Sequence, residues 1–90
     1  MKKAIISVIG KDKVGIIARV CNYLCDAGIN IEDISQTVLQ GYFTMMMVVD
    51  TSGSKDTFNE ISENLEQIGE EFGLVIKIQH EEIFSAMHRI

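Results

Sequence analysis

The stretch Tyr-Phe-Thr-Met-Met-Met-Val-Val-Asp, residues 42 to 50, constrains the fold more than any other part of this chain. A strand with one wet face alternates apolar and polar residues. Here Phe43, Met45, Met47 and Val49 fall on one side, and Tyr42, Met46 and Val48 on the other, with Thr44 among them. Both faces of the sheet therefore need cover. At about 25 cal/mol per Å2 of apolar surface, several uncovered Met and Val side chains supply a few kcal/mol toward association. The alternative is that Met fills gaps in an ordinary core. A surface for self-association, with the C-terminal segment taking part, is the favoured reading.

The elements around this strand follow from periodicity. Lys3 to Ile9 is rich in Ile and Val and reads as a first strand. From Gly15 the spacing becomes helical through Ile17, Val20, Cys21 and Leu24, with Asp12 as the expected N-cap and Gly28 as the stop. Ile29 to Leu39 reads as a second strand. Its apolar phase switches between Ile31 and Ile34, which predicts a bulge near Glu32-Asp33. Gln40-Gly41 is a hairpin turn into the third strand. Ser54 is the expected cap of a second helix, with Asp56 in its first turn. Phe58, Ile61, Leu65, Ile68 and Phe72 form that helix's apolar stripe, and Glu63, Glu66 and Glu70 its wet side. Gly73 ends it, and Leu74 to His80 is a fourth strand.

The order β-α-β-β-α-β predicts an α+β, ferredoxin-like fold: a four-stranded antiparallel sheet with two helices on one face. Glu81 to Ile90 is left over. Ile83, Phe84, Met87 and Ile90 recur on one side, which predicts a short C-terminal helical segment, marginal alone in water and in need of a docking surface. A chain of 90 residues is expected to form one domain, with a core over about 3–80 and an extension over 81–90.

Composition limits the partners. The net charge of −5 opposes nucleic acid and anionic membrane, both of which need clustered Lys and Arg. Lys2 and Lys3 precede a short apolar run, as in a signal peptide, but Lys11, Asp12 and Lys13 follow it with no small-residue cleavage site. No stretch approaches the roughly 20 apolar residues of a membrane span, so a cytoplasmic protein is expected. Cys21 and Cys25 share a helix face and read as small buried apolar residues rather than as a disulfide or metal site. No catalytic set stands out: His80, Glu81, Glu82, Ser85 and His88 lie near the chain end, where a hydrolytic triad lacks an enclosed setting. His80 continues the apolar phase of the fourth strand, which reads as a partly buried or interface position. No enzyme activity, metal or cofactor is expected.

One loop remains: Gly10-Lys11-Asp12-Lys13-Val14-Gly15. It enters the N-terminus of the first helix, where free N–H groups and partial positive charge can receive a carboxylate, and glycines allow close approach to the backbone. The same N–H groups could instead be satisfied by Asp12. Physics alone leaves the two readings level.

This loop, with Ile16 after it and Ala27-Gly28-Ile29-Asn30-Ile31 at the second strand, resembles the ACT domains over about residues 3 to 80. With the tail included, the chain is similar to small stand-alone ACT proteins, and distantly to regulators related to the glycine-cleavage repressor. The resemblance implies the β-α-β-β-α-β fold and edge-to-edge pairing. It also implies an amino-acid effector held between the first loop of one subunit and the second strand of its partner. The matching residues are Asp12, Lys13, Val14, Gly15, Ile16, Asn30 and Ile31. Many members carry proline where this chain has Val14, and the chain has no proline at all, which leaves the loop less rigid. Asn30 also fits plain turn chemistry after a helix-ending glycine.

The expected function is a non-enzymatic regulatory module: a homodimer that binds a small amino acid and modulates a protein partner. The alternative is a constitutive dimerisation module with the same fold and no effector. An RNA-binding sheet shares the topology but wants exposed aromatics on central strands and a basic face. The first strand has no aromatic and the chain is acidic.

Overall fold

The computed structural model describes residues 2–11 and 15–80, without the side chain of Leu39. Asp12, Lys13 and Val14 of the candidate loop lie outside the described residues, as does the C-terminal segment expected to be helical, residues 81–90.

The elements follow the expected order: β1 (Lys3–Lys11), α1 (Ile16–Ala27), β2 (Asn30–Leu39), β3 (Tyr42–Asp50), α2 (Phe58–Phe72) and β4 (Val75–His80). The strands form one antiparallel sheet in the order β2-β3-β1-β4. β1 is therefore central, paired to β3 from Lys3↔Asp50 to Lys11↔Tyr42 and to β4 from Ala4↔His80 to Ile9↔Val75. Both helices cover one face. Ala4, Ile6 and Val8 of β1 and Phe43, Met45, Met47 and Val49 of β3 pack there against Ile16, Val20 and Leu24 of α1 and Ile61, Leu65 and Ile68 of α2. The buried stripe of α1 runs from Ile16; Ile17 and Cys21 are only partly covered.

The expected bulge is present. The β2–β3 register shifts between Ile31 and Asp33, leaving Glu32 as the extra residue. It cancels the phase switch, so that Ile31, Ile34 and Val38 pair with Val49, Met47 and Phe43 of the helix-covered face. Glu32 reaches Lys3 across β3, with Nζ to Oε1 at 3.0 Å. Gln40 and Gly41, at φ 52° and 81°, turn the hairpin with the primed geometry that suits strand twist.

Two caps differ from expectation. The N-cap of α1 is Gly15, at φ 87°, and not Asp12. The Gly15 carbonyl accepts from the Arg19 N–H at 3.0 Å. The N-cap of α2 is Thr57, not Ser54. Its Oγ1 accepts from the Glu60 N–H at 3.2 Å, while Glu60 Oε1 accepts from the Thr57 N–H at 2.8 Å. Ser54 lies one turn earlier, where its hydroxyl bridges the N–H and carbonyl of Asp56, each at 3.0 Å. Asp56 accordingly precedes the helix, and the acidic residue of its first turn is Glu60.

Gly28 ends α1 at φ 81°, a conformation that costs a residue with a side chain about 1–2 kcal/mol. A Cβ there would also stand 2.8 Å from the carbonyl oxygen of Gly53. Only a glycine lets the β3–α2 loop press onto the end of α1, where the Lys55 N–H donates to the Ala27 carbonyl at 3.0 Å.

Candidate functional site

Of the sequence-predicted site residues, the four described ones, Gly15, Ile16, Asn30 and Ile31, fall at two ends of one helix. Gly15 precedes α1 and is exposed. Asn30 opens β2 just after α1 has ended, and is also exposed. The helix between them rises about 1.5 Å per residue over 12 residues, or about 18 Å.

The sheet register gives the same separation. Asn30 shares a row with Asp50 and Lys3 at one end, whereas Lys11, which leads into the loop, shares a row with Tyr42 and Leu39 at the other. Within one chain these two groups do not meet.

At the first end, the cap residue Gly15 has no side-chain acceptor to offer, and the first turn of α1 carries no acidic residue. The opening N–H groups of any helix carry partial positive charge. Ile16 follows with its side chain buried in the core at 1% exposure.

At the second end, Asn30 and Ile31 border a shallow groove of about 420 Å3 together with Gly28, Ile29, Cys21 and Cys25. Ile31 packs partly against the core. Cys25 is exposed and Cys21 half-buried, both as free thiols, so the reading of the pair as buried holds only in part for Cys21. Sequence reasoning did not place the two cysteines beside Asn30. Their helical spacing turned them toward the β2 side of α1, and that signal was available. In the same row as Asn30, the Ser52 N–H donates to Asp50 Oδ1 at 2.9 Å and holds that carboxyl below its ordinary value.

β2 runs between the two ends as an edge strand, with its outer N–H and C=O row unpaired by the sheet. It carries no proline and no lysine. Ile34 and Val38 remain 38% and 57% exposed. Native edges are usually blunted by charge, proline, a bulge or cover; this one has Glu32 and Asp33 at its bulge, but from Ile34 to Leu39 it has neither charge nor proline. Elsewhere, His80 keeps the predicted phase opposite Ala4 but is exposed, its ring stacked on Phe58 at 4.0 Å. Among the described residues no group of His, Cys, Asp and Glu could hold a metal ion, and no helix is long and apolar enough to cross a membrane.

A β-α-β-β-α-β sheet with a glycine-capped first helix is the frame of a typically small-molecule-binding regulatory domain. The chain belongs to the ACT domain family, whose model matches residues 2–79. Among curated relatives it is 53% identical to a UPF0237 protein of Bifidobacterium longum over 90 residues, all of both chains. Among solved structures it is similar to an ACT domain protein from Streptococcus pneumoniae, with 48% identity, a TM-score of 0.80, and coverage of 92% of this chain and 93% of that one. It is also similar to the regulatory subunit of aspartate kinase from Thermus thermophilus, at 31% identity and a TM-score of 0.65, over 87% of this chain and 50% of that one. ACT domains are typically regulatory and commonly dimerise around amino-acid effectors.

Proposed function

We propose that this protein is a non-enzymatic, cytoplasmic regulatory module. In this reading residues 1–90 act as one ACT domain that pairs through β2, binds a small amino acid at the homodimer interface and modulates a partner protein. One observation supports the reading: Gly15 and Asn30, one from each half of the candidate site, lie toward opposite ends of the edge strand β2. Antiparallel pairing of two such edges about a two-fold axis reverses one relative to the other. Asn30 of each protomer then comes level with its partner's first loop, and two half-sites become two whole ones.

Each residue has a chemical role in this arrangement. The N–H groups that open α1, from Gly15 and Ile16 onward, receive the effector's carboxylate. Asp12 is the residue of the loop whose charge suits its ammonium group, with Lys13 and Val14 beside it in the sequence. Across the interface the Asn30 amide supplies a donor and an acceptor, and Ile31 an apolar wall. The net charge of −5 opposes nucleic acid and membrane surfaces as partners.

The test is a thermal-shift panel of amino acids. Ligand at about 100 times its dissociation constant adds roughly 2.7 kcal/mol of stability. A flat response at millimolar concentrations favours the second reading, a constitutive dimerisation module without effector. The observation behind that reading is Val14, in place of the proline that stiffens the loop in many relatives of this fold. In that case assembly and partner binding are indifferent to Asp12→Ala and Asn30→Ala.

A further inference from the structure

Charge distinguishes the two edges of the sheet. β2 is one edge and β4 the other: β4 pairs with β1 alone, and no described strand lies beyond it. Ile76 and Ile78 are buried in the helix-side core, while Val75, Lys77 and Gln79 alternate onto the opposite face. α2 reverses into β4 at Gly73, and the two elements border a groove of about 500 Å3 along this edge. Asn64 and Glu71 mark the α1 side of α2, through their bonds to Tyr23 and Arg19. Ser62, Glu66 and Glu70, four residues apart, form a different stripe of the helix and line the groove with residues 74–79.

This groove is acidic and not neutralised. Glu66 and Glu70 are exposed, and neither has an ion pair among the described residues. Like charges four apart on a helix repel each other. Glu70 also stands in the last turn of α2, which has no basic residue and where the helix dipole adds negative potential.

The charges select the occupant. A second copy paired through β4 about a two-fold axis would set the acidic side of α2 against itself. The β2 edge of another copy brings no cation either, since its only charged residues are Glu32 and Asp33. An extended segment bearing Lys or Arg has the complementary charge, and its backbone can pair with the free N–H and C=O row of β4. The spacing also agrees. Side chains on one face of a strand recur every two residues, at about 6.7 Å. Glu66 and Glu70 are separated by about 6 Å along the helix axis. Alternate basic residues thus come level with successive carboxylates.

We propose that the β4 edge is the surface on which a partner protein docks, by adding an extended segment with Lys or Arg at alternate positions that face Glu66 and Glu70. The two edges then have separate tasks, β2 for a second copy and β4 for a different chain. This rests on the regulatory reading only for the existence of a partner, and does not depend on the effector.

The probe is a fluorescein-labelled peptide in which Thr and Arg alternate over the length of β4, titrated with the full-length protein. Anisotropy should show saturable binding at submillimolar protein. An isomer with its Arg residues grouped at one end should bind several-fold more weakly. Of two peptides N-methylated on alternate amides, one on the Thr set and one on the Arg set, one should lose binding and the other keep it, because only one set faces β4. Glu66→Gln with Glu70→Gln should weaken binding several-fold without lowering the thermal midpoint, since both side chains are exposed and repel each other. Val38→Lys, on the β2 edge, should bind as the wild type does. Absence of saturable binding overturns the proposal, as do equal effects of the two methylated sets or indifference to the glutamate substitutions. Loss of binding in Val38→Lys overturns it by placing the segment on β2. None of these outcomes decides the amino-acid response, which is read separately by thermal shift.

Discussion

The Tyr23 hydroxyl donates to Asp56 Oδ2 at 2.8 Å and accepts from Asn64 Nδ2 at 3.1 Å. One side chain of α1 thus fixes both the loop that enters α2 and α2 itself. Phe at position 23 keeps the ring and removes both bonds. Tyr23→Phe should cost about 1–2 kcal/mol, read as a lower urea midpoint with an unchanged slope.

The same contact makes a prediction about pH. Burial, chiefly, pushes the Tyr23 phenol above its ordinary value of 10.0, with the nearby Asp56 adding to the effect. The unfolded chain loses this proton first as pH rises. The contribution is complete below the unfolded value and is lost as pH climbs through the raised one. As pH rises from below 10.0 through the raised value, stability should fall more in the wild type than in Tyr23→Phe. Equal falls would show that another group sets the alkaline limb.

Gly69 offers a test by sign. Replacing an exposed helix glycine with alanine ordinarily stabilises by up to about 1 kcal/mol. Here a Cβ would lie 2.7 Å from the Leu74 carbonyl oxygen, because α2 and β4 meet backbone to backbone. Gly69→Ala should therefore destabilise, by about 1–3 kcal/mol, in thermal or urea unfolding. Gly41→Ala, where nothing lies within 4 Å, serves as the unclashed control and should cost only the backbone term of about 1–2 kcal/mol.

The composite-site reading separates assembly from recognition. Val38→Lys puts a charge on the outer strand and should yield monomers by light scattering, with no thermal response to any amino acid. Asn30→Ala should remain dimeric, keep its unliganded stability within about 0.5 kcal/mol, and lose the response alone. A monomeric wild type, or a response that survives Asn30→Ala, would remove the interfacial site.

Most of the fold was legible because its signals are local. Phase gave the bulge at Glu32, and the glycines gave the helix stops at Gly28 and Gly73. The missed caps had competing local signals. Ser54 is a good cap by type, but Thr57 has Glu60 three residues on and forms a reciprocal pair that Ser54 cannot. The exposure of Ile34 and Val38 was not legible, because it depends on how far α1 reaches across β2 and not on strand phase. The separation of Gly15 from Asn30 needed the helix length and the sheet register together, a long-range quantity that no single motif carries.

The central place of β1 also sets a timetable for synthesis. β1 precedes both of its partners in the chain, so Ala4 waits first for Val49 and then for His80. Only the β2–β3 hairpin can close early; the remaining pairings span long loops and are slow to form. Until β3 has been made the Ile-Val run of β1 has no sheet partner, and until β4 follows one of its two edges stays open to other chains.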